Sequence, residues 1–324
     1  MMLPRLGLGC MSLSHAYGVP PSEEEGLAVI RGALDAGVTH LDTATLYGGG
    51  RNERLVGRAI AGRRDEIVLA SKGGMAIVDG VRVIDGRPET LRAQVDASLR
   101  RLAVERIDLY YLHRWDKRVP IADSVGALAE AADAGKISAI GLSEVSVARL
   151  REARAVAPIA AVQNEYSLWT RNPEIAMLEE TRAAGIALVA FSPVARGFLS
   201  DSVGDPAELA EKDIRRAMPR FRPEHWPANA ALLPAWRALA ADAGCTPAQL
   251  ALAWLLSRGD HVVPIPGTTS LAHARENHAA LSLQVDAGVL ARAGELIGHE
   301  AVSGPRYAAQ ATGEVDTETF EEAA

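Results

Sequence analysis

Four residues of this chain combine into a set able to do acid–base chemistry: Asp42, Tyr47, Lys72 and His113. Three of them close apolar runs, His40-Leu41-Asp42, Val68-Leu69-Ala70-Ser71-Lys72 and Tyr110-Tyr111-Leu112-His113. Tyr47 follows Asp42 by five residues and precedes Gly48-Gly49-Gly50. Taken singly, each has a plain reading: a turn aspartate, a loop aromatic, a hydrogen-bonded core histidine. Lys72 is the exception, because only four of the 34 basic residues are lysine and this one ends an apolar run. A buried ammonium must be paired or lose its proton, and Asp42 on the neighbouring run is the natural partner. A tyrosine phenol ordinarily ionises near pH ~10. A neighbouring ammonium is expected to lower that value and let Tyr47 act as a general acid closer to neutrality. A neutral His113 would hold a substrate oxygen. Such a set suits protonation of a carbonyl oxygen while a nucleophile attacks its carbon. The chain shows no metal-ligand spacing, no Walker-type phosphate loop and no Gly-x-Ser-x-Gly. The nucleophile is therefore borrowed, and a hydride from a cofactor fits.

The four residues can meet only if their runs lie side by side. Eight short apolar runs read as strands: Leu6–Cys10, Thr39–Ala44, Ile67–Lys72, Ile107–His113, Ile137–Ser143, Ala160–Glu165, Ile186–Ser192 and Val262–Gly267. Several are apolar almost throughout, as strands buried on both faces are. Amphipathic stretches alternate with them: Ser22–Ala36, Asn52–Ala61, Pro88–Leu102, Ile121–Ala134, Ser146–Ala155, Pro173–Ala184, Pro247–Ser257 and Ser270–Leu281. Strict alternation predicts a parallel sheet with right-handed crossovers, and eight repeats predict a single-domain (β/α)8 TIM barrel over residues 1–324, in which reactive groups gather at the C-terminal ends of the strands. Gly48–Gly50 read as a tight turn, with Asn52 capping the next helix. Two segments break the rhythm. Residues 201–229, rich in charge, Pro and Arg, form an insertion after the seventh strand, followed by a helical stretch Ala230–Ala243. Residues 308–324, polar and acidic at the end, are expected to be a mobile tail.

Composition narrows the partners. The net charge is −7 and hydrophobic residues make up 48% of the chain. Nucleic acid or an anionic membrane is a poor match for that charge, so the expected partner is a small-molecule carbonyl substrate. Cys10 and Cys245 are far apart and read as reduced thiols. No leader-like start and no apolar run near the ~20 residues of a membrane helix occur, which predicts a soluble cytoplasmic protein of undetermined oligomeric state. No metal is expected.

The chain resembles the aldo-keto reductases, in particular a bacterial and plant NADPH-dependent subgroup. The matching stretches run in order over roughly the first 300 residues: Leu6-Gly7-Leu8-Gly9-Cys10-Met11, His40–Ala44 with Tyr47-Gly48, Asn52-Glu53, Ser71-Lys72, Ile107–Arg114, Gly135-Lys136, Gly141-Leu142-Ser143, Val162–Ser167, Phe191-Ser192-Pro193 with Arg196-Gly197, Pro264–Thr268, and Glu276-Asn277. The resemblance implies that Asp42, Tyr47, Lys72 and His113 form a catalytic tetrad, with Tyr47 as proton donor. It implies that Ser143 and Gln163 bond the nicotinamide carboxamide, that Phe191 stacks on its ring, and that Ser192, Arg196, Gly197 and Leu199 follow the pyrophosphate. Gly267, Thr268, Thr269, Ser270, His273, Glu276 and Asn277 would hold the adenosine end. The implied cofactor is NADPH, and NADH stays open. The cation that usually pairs the 2′-phosphate is absent from Gly267–Ser270, His273 stands where an Arg is common, and Arg275 reads as facing solvent. Glu144 also departs, standing where many members have Asn. Met11, Arg114, Trp115, Trp169 and Trp226 read as candidate substrate-pocket residues. Local ion pairing is the plainer reading of Arg114, and loop packing an equal one for the tryptophans.

Two other functions compete. Lys72 could serve as a Schiff-base nucleophile in a lyase, although an adjacent carboxylate keeps an amine protonated. A nicotinamide-binding subunit that senses redox state is the other, since barrel subunits of potassium channels resemble the same family.

Overall fold

The computed structural model describes residues 2–14 and 16–320. Ten strands occur: β1 (Leu8–Gly9), β2 (His40–Asp42), β3 (Val68–Gly73), β4 (Met75–Val78), β5 (Val81–Ile84), β6 (Leu109–Leu112), β7 (Ile140–Ser143), β8 (Ile159–Glu165), β9 (Ala187–Phe191) and β10 (Val262–Pro264). Eight form one parallel sheet in the order β1-β2-β3-β6-β7-β8-β9-β10, so sequence neighbours are spatial neighbours throughout. The sheet closes on itself. Gly7 N donates to Pro264 O at 3.0 Å and Gly9 N to Pro266 O at 3.2 Å, and Gly9 bridges Gly267 in parallel. A Cβ on Gly9 would stand 2.8 Å from Ile265 O, so only glycine permits the two edges to approach this closely. Each of the eight predicted runs overlaps one barrel strand, β3 and β8 extending one residue beyond theirs, giving the expected (β/α)8 fold.

The registers place the reactive positions at one end. Gly9 lies opposite Asp42, Asp42 opposite Ala70, Lys72 opposite Tyr111, and Ser143 opposite Gln163. Parallel strands need both faces covered; all four residues of β6 are buried, and the helices present an apolar stripe to them. Local chemistry starts these helices where expected. Ser22 and Glu25 form a capping box ahead of the helix Glu23–Asp35, and Thr246 and Gln249 another ahead of Pro247–Leu256. The stretch Pro173–Ala184 divides into a 3₁₀ turn at Asn172–Glu174 and a helix Met177–Ala184. Among the described residues no single helix is long and apolar enough to cross a membrane.

Four features differ from the sequence reading. Strands β4 and β5 form an antiparallel hairpin in what reads as a loop. The insertion at 201–229 contains 3₁₀ turns at Pro206–Glu208, Ile214–Ala217 and Pro219–Phe221 and enters a short helix Trp226–Ala230, details without a counterpart in the reading, while the helix Leu233–Asp242 beyond it is the one expected at Ala230–Ala243. Asn52 does not cap a helix. It is wholly buried, its amide donating to Cys10 O (2.8 Å) and Ser14 Oγ (2.9 Å) while it accepts from Thr43 Oγ1 (2.6 Å). It thereby ties the loops after β1 and β2 together. Finally, residues 308–320 are fastened rather than loose. Arg82 bonds Glu314, Ser146 bonds Asp316, Val147 N donates to Glu318, and Phe320 stacks on His299 at 4.0 Å. The acidic residues that suggest solvation meet an arginine and the N-terminus of the helix Val147–Arg154, where carboxylates are favoured. Residues 321–324 of the expected tail lie outside the described residues.

Candidate active site

A cleft of about 1370 Å³ opens at the C-terminal ends of the barrel strands, with Asp42, Tyr47 and His113 in its wall. Lys72 lies beneath them, wholly buried. Its Nζ forms an ion pair with Asp42 Oδ1 and donates to Thr43 O at 3.0 Å and to the Tyr47 hydroxyl at 3.4 Å. The second Asp42 oxygen accepts from Gln163 Nε2 at 2.8 Å. Every charge in this floor thus has a bonded partner, as burial demands. The Tyr47 and His113 rings meet edge to face, 5.9 Å apart. The structure brings together all four candidates.

The electrostatics correct one expectation. Burial raises the Tyr47 phenol above its ordinary value, and the nearby Lys72 ammonium only partly offsets this. The sequence gives the sign of the lysine's effect but not the larger opposing cost of desolvating a phenolate. Tyr47 is therefore a protonated phenol at neutral pH. Burial pulls Lys72 down, but Asp42 and Tyr47 outweigh it and hold the ammonium above its usual range. Burial, followed by the charge of Arg114, pushes His113 well below the usual histidine value. Its Nδ1 is buried without a partner among the described residues, and the imidazole is neutral.

Of the residues singled out for a cofactor, Ser143, Gln163, Phe191, Ser192, Arg196, Gly197, Gly267, Thr268, Thr269, His273, Glu276 and Asn277 line the same cleft. Leu199 does not. Its side chain is wholly buried in the core and its carbonyl accepts from Trp236 Nε1 at 2.9 Å. Ser270 instead caps the helix Leu271–Ala279. Ser192, Ala195 and Arg196 all have left-handed backbone, with φ of 51°, 51° and 57°, followed by Gly197 at 96°. Left-handed backbone at non-glycine residues is strained; the turn holds it by internal bonds, Ala195 N to Ser192 O at 2.9 Å and Gly197 N to Val194 O at 3.1 Å. Thr268 and Thr269 precede a helix N-terminus, which favours an anion. Ser143 and Gln163 are polar groups on the cleft floor. The donor set therefore fits a dinucleotide laid from the tetrad toward that helix. Arg275 is exposed and outside the cleft lining.

Met11 and Arg114 line the cleft, but Trp115, Trp169 and Trp226 do not. Trp115 donates to Val119 O and lies under the Arg149 guanidinium. Trp169 stacks on Phe198 at 4.3 Å, and Trp226 packs on Phe198 and Phe221. These rings brace the insertion against the barrel, because a segment so poor in regular structure needs an apolar anchor of its own. Arg114 makes no local salt bridge: its Nη1 donates to His113 O (2.7 Å) and Ser143 Oγ (3.2 Å), and no carboxylate lies within 4.0 Å among the described residues.

The sequence does not point to a second buried ionic cluster on the rim. Glu144, wholly buried, accepts from Arg306 at 2.6 Å and from the Glu165 backbone amide at 2.8 Å. Glu165 accepts from Arg196 and Arg306, each at 3.0 Å, and from the Tyr307 hydroxyl at 2.8 Å. Burial raises Glu165, but Arg196, Arg306 and Tyr307 overcome it and bring the carboxyl down to about 2. Glu144 is visible in the sequence as a departure from the related pattern; its partner Arg306 is not, since nothing local links them. Among the described residues no group of three or more His, Cys, Asp or Glu side chains could hold a metal ion.

Comparison with known proteins gives the family. The profile of the aldo/keto reductase family matches residues 5–297. This chain belongs to the aldo/keto reductase family. It is 39% identical over 312 residues to the NADP(+) aldo-keto reductase yakc of Schizosaccharomyces pombe, covering 94% of this chain and 92% of that one. Its fold matches the glycerol dehydrogenase of Gluconobacter oxydans with a TM-score of 0.82 at 28% identity, covering 94% of each chain. It also matches an aldo/keto reductase of Klebsiella pneumoniae solved in complex with NADP and acetate, with a TM-score of 0.71 at 26% identity, covering 97% of this chain and 95% of that one.

Proposed function

We propose that this aldo/keto reductase reduces an aldehyde or ketone to an alcohol with NADPH as its cofactor. The observation that carries the reading is the Lys72 ammonium, wholly buried and shared between Asp42, Thr43 O and the Tyr47 hydroxyl at the base of the cleft. When bound in the cleft, the cofactor would supply the hydride. The chain's own residues do the rest. Tyr47, held protonated by burial, gives its phenolic proton to the carbonyl oxygen as negative charge develops there. Lys72 stands beside the phenolate left behind and stabilises it. Asp42, bonded by Lys72 and Gln163, keeps the ammonium charged and fixed. His113, neutral, is placed to orient the carbonyl oxygen against Tyr47.

The same geometry argues against a Schiff-base role for Lys72, because an ammonium paired with Asp42 is not a nucleophile. The NADP named for the yeast relative and the Klebsiella structure supports the choice of cofactor. The 2′-phosphate would lie by Thr269 and His273, with hydroxyl and imidazole donors in place of an arginine. The decisive experiment combines fluorescence titration with NADPH and NADH and steady-state oxidation of NADPH against a panel of aldehydes. Tyr47→Phe is expected to bind NADPH and to lose turnover by about 10²–10⁴-fold. Undiminished turnover in that variant would sink the assignment. Tighter binding of NADH, inverted by Thr269→Lys, would change the cofactor and keep the mechanism.

A further inference from the structure

Four arginines line the cleft, and three have a carboxylate. Arg196 is paired with Glu165, Arg215 with Asp213, and Arg82 with Glu314. Lys72 beneath them is paired with Asp42. Arg114 alone among the described residues of that lining has no acid within salt-bridge distance. It is half-buried, and only Nη1 has protein acceptors, the His113 carbonyl and the Ser143 hydroxyl. Among the described residues Nε and Nη2 have none. The first of these bonds ties the guanidinium to the backbone of the residue placed to orient the carbonyl oxygen, and the second reaches the floor beside it. Apolar Met11, Leu46 and Met75 share this end of the cleft.

A guanidinium partly withdrawn from water without a counter-charge is unfavourable, and its planar fork is suited to a carboxylate. The missing anion does not come from the cofactor's phosphates. The helix N-terminus after Thr269 follows β10, which lies across the closed sheet from β6, the strand that leads to Arg114, and the nicotinamide headgroup carries no negative charge. The counter-charge must arrive with the substrate.

We infer that Arg114 is a specificity-determining residue that selects carbonyl compounds bearing a carboxylate close to the reacting carbon, that is, oxo acids and acidic aldehydes. The inference rests on the carbonyl-reductase reading above. Arg114 forms a charge-assisted pair with the substrate's carboxylate while His113 and Tyr47 hold the carbonyl oxygen. It takes no part in the proton or hydride transfer. Arg82, already neutralised by Glu314, adds no net charge to this wall.

The test uses two aldehydes of similar size, meta-carboxybenzaldehyde and meta-tolualdehyde, with the full-length protein and NADPH. The wild type is expected to favour the acid by about tenfold or more in kcat/KM, the gain of one charge-assisted hydrogen-bonded pair. Arg114→Leu is expected to bring that ratio to about one, and Arg114→Lys to leave it between the two. A wild-type ratio near one, or a ratio unchanged in Arg114→Leu, overturns the proposal. A second readout needs no turnover: binding of meta-toluate to the NADPH-loaded protein, followed by calorimetry. The reductase reading fails separately, if no member of the aldehyde panel is reduced, and the toluate measurement still decides the role of Arg114. Binding lost in Arg114→Leu supports it, and equal binding in both proteins overturns it.

Discussion

The floor of the barrel and the rim above it each hold a buried ionic cluster, yet they are built for different ends. On the floor, one ammonium faces one carboxylate, and their remaining bonding capacity goes to Thr43 O, Gln163 and Tyr47. Tyr47 lines the cleft, so the network ends on a proton that a bound molecule can take. On the rim, Glu144 and Glu165 are bonded by Arg196, Arg306 and Tyr307. Those partners reach across from the turn Ala195–Gly197 after β9 and from the C-terminal segment, and the bonds hold segments together. Burial of charge alone therefore does not mark a reactive site. Arg196 and Tyr307 line the cleft as well, but the Tyr307 hydroxyl already donates to Glu165, whereas among the described residues the Tyr47 hydroxyl only accepts, from Lys72, and keeps its proton for the cavity.

The sharpest way to break the comparison is to remove one cation from each cluster. Lys72→Met leaves the Asp42 carboxylate buried with only Gln163, and is expected to cost about 3–5 kcal/mol in urea unfolding and to abolish turnover. Adding Asp42→Asn should recover part of the stability and none of the activity. If the single variant is as stable as the wild type, the floor is not the dry ion pair described here. Arg306→Met strands Glu144 but leaves Glu165 with Arg196 and Tyr307. A smaller loss is expected, about 2–3 kcal/mol for a charged hydrogen-bonded partner, together with new protease sensitivity between residues 308 and 320. Sensitivity unchanged by the substitution would separate the rim cluster from the tail.

Acid sharpens the contrast further. The folded Glu165 carboxyl is held to about 2, below its ordinary value of 4.5. A depressed carboxyl contributes stability that is present above the unfolded value and lost as pH falls toward the folded one. About 3 kcal/mol is expected to disappear between roughly pH 5 and 2, with a shallower slope in Glu165→Gln. His113 behaves in the same direction at higher pH. Its folded value lies below that of the unfolded chain, so the unfolded state takes up its proton first and stability declines as pH falls below about 6.5. The smallest effect belongs to the exposed pair Arg92–Glu130. Arg92→Ala is expected to leave the thermal midpoint unchanged, because water screens such pairs. A clear drop there would blur the distinction between buried and exposed clusters.

The eight strands and the four tetrad positions could be read from the residues because the physics is local. Strands covered on both faces are nearly continuous apolar runs, and a lysine at the end of one is conspicuous. The hairpin was equally readable: Asp79-Gly80, with φ of 50° and 77°, is a two-residue turn flanked by Ile77-Val78 and Val81. The same apolar–polar mixture around it reads as loop when the turn signal is passed over. Other features have no local signal. Arg306 meets Glu144, and Asp316 meets Ser146, across more than a hundred residues of chain. Composition shows only that such side chains are polar. Whether a polar residue is solvated or paired depends on what the fold brings to it, and the same holds for Trp169 and Trp226, which are aromatic anchors rather than cleft walls.

The seam at Gly7 and Gly9 has a consequence for how the chain reaches this shape. The first strand finds its second neighbour only when Pro264 and Pro266 are in place. Every other pair in the barrel joins strands that follow one another along the sheet order, with β9 and β10 the most widely separated because the insertion lies between them, so most of the sheet can assemble stepwise, as an open arc. The last joint must bring the two edges of that arc together, which is the kind of long-range contact that slows folding. Until it forms, β1 and β10 each present an unpaired strand edge. A partly synthesised chain is thus an open sheet in search of its other side, and the nascent protein is most exposed to misassociation just before its eighth barrel strand arrives.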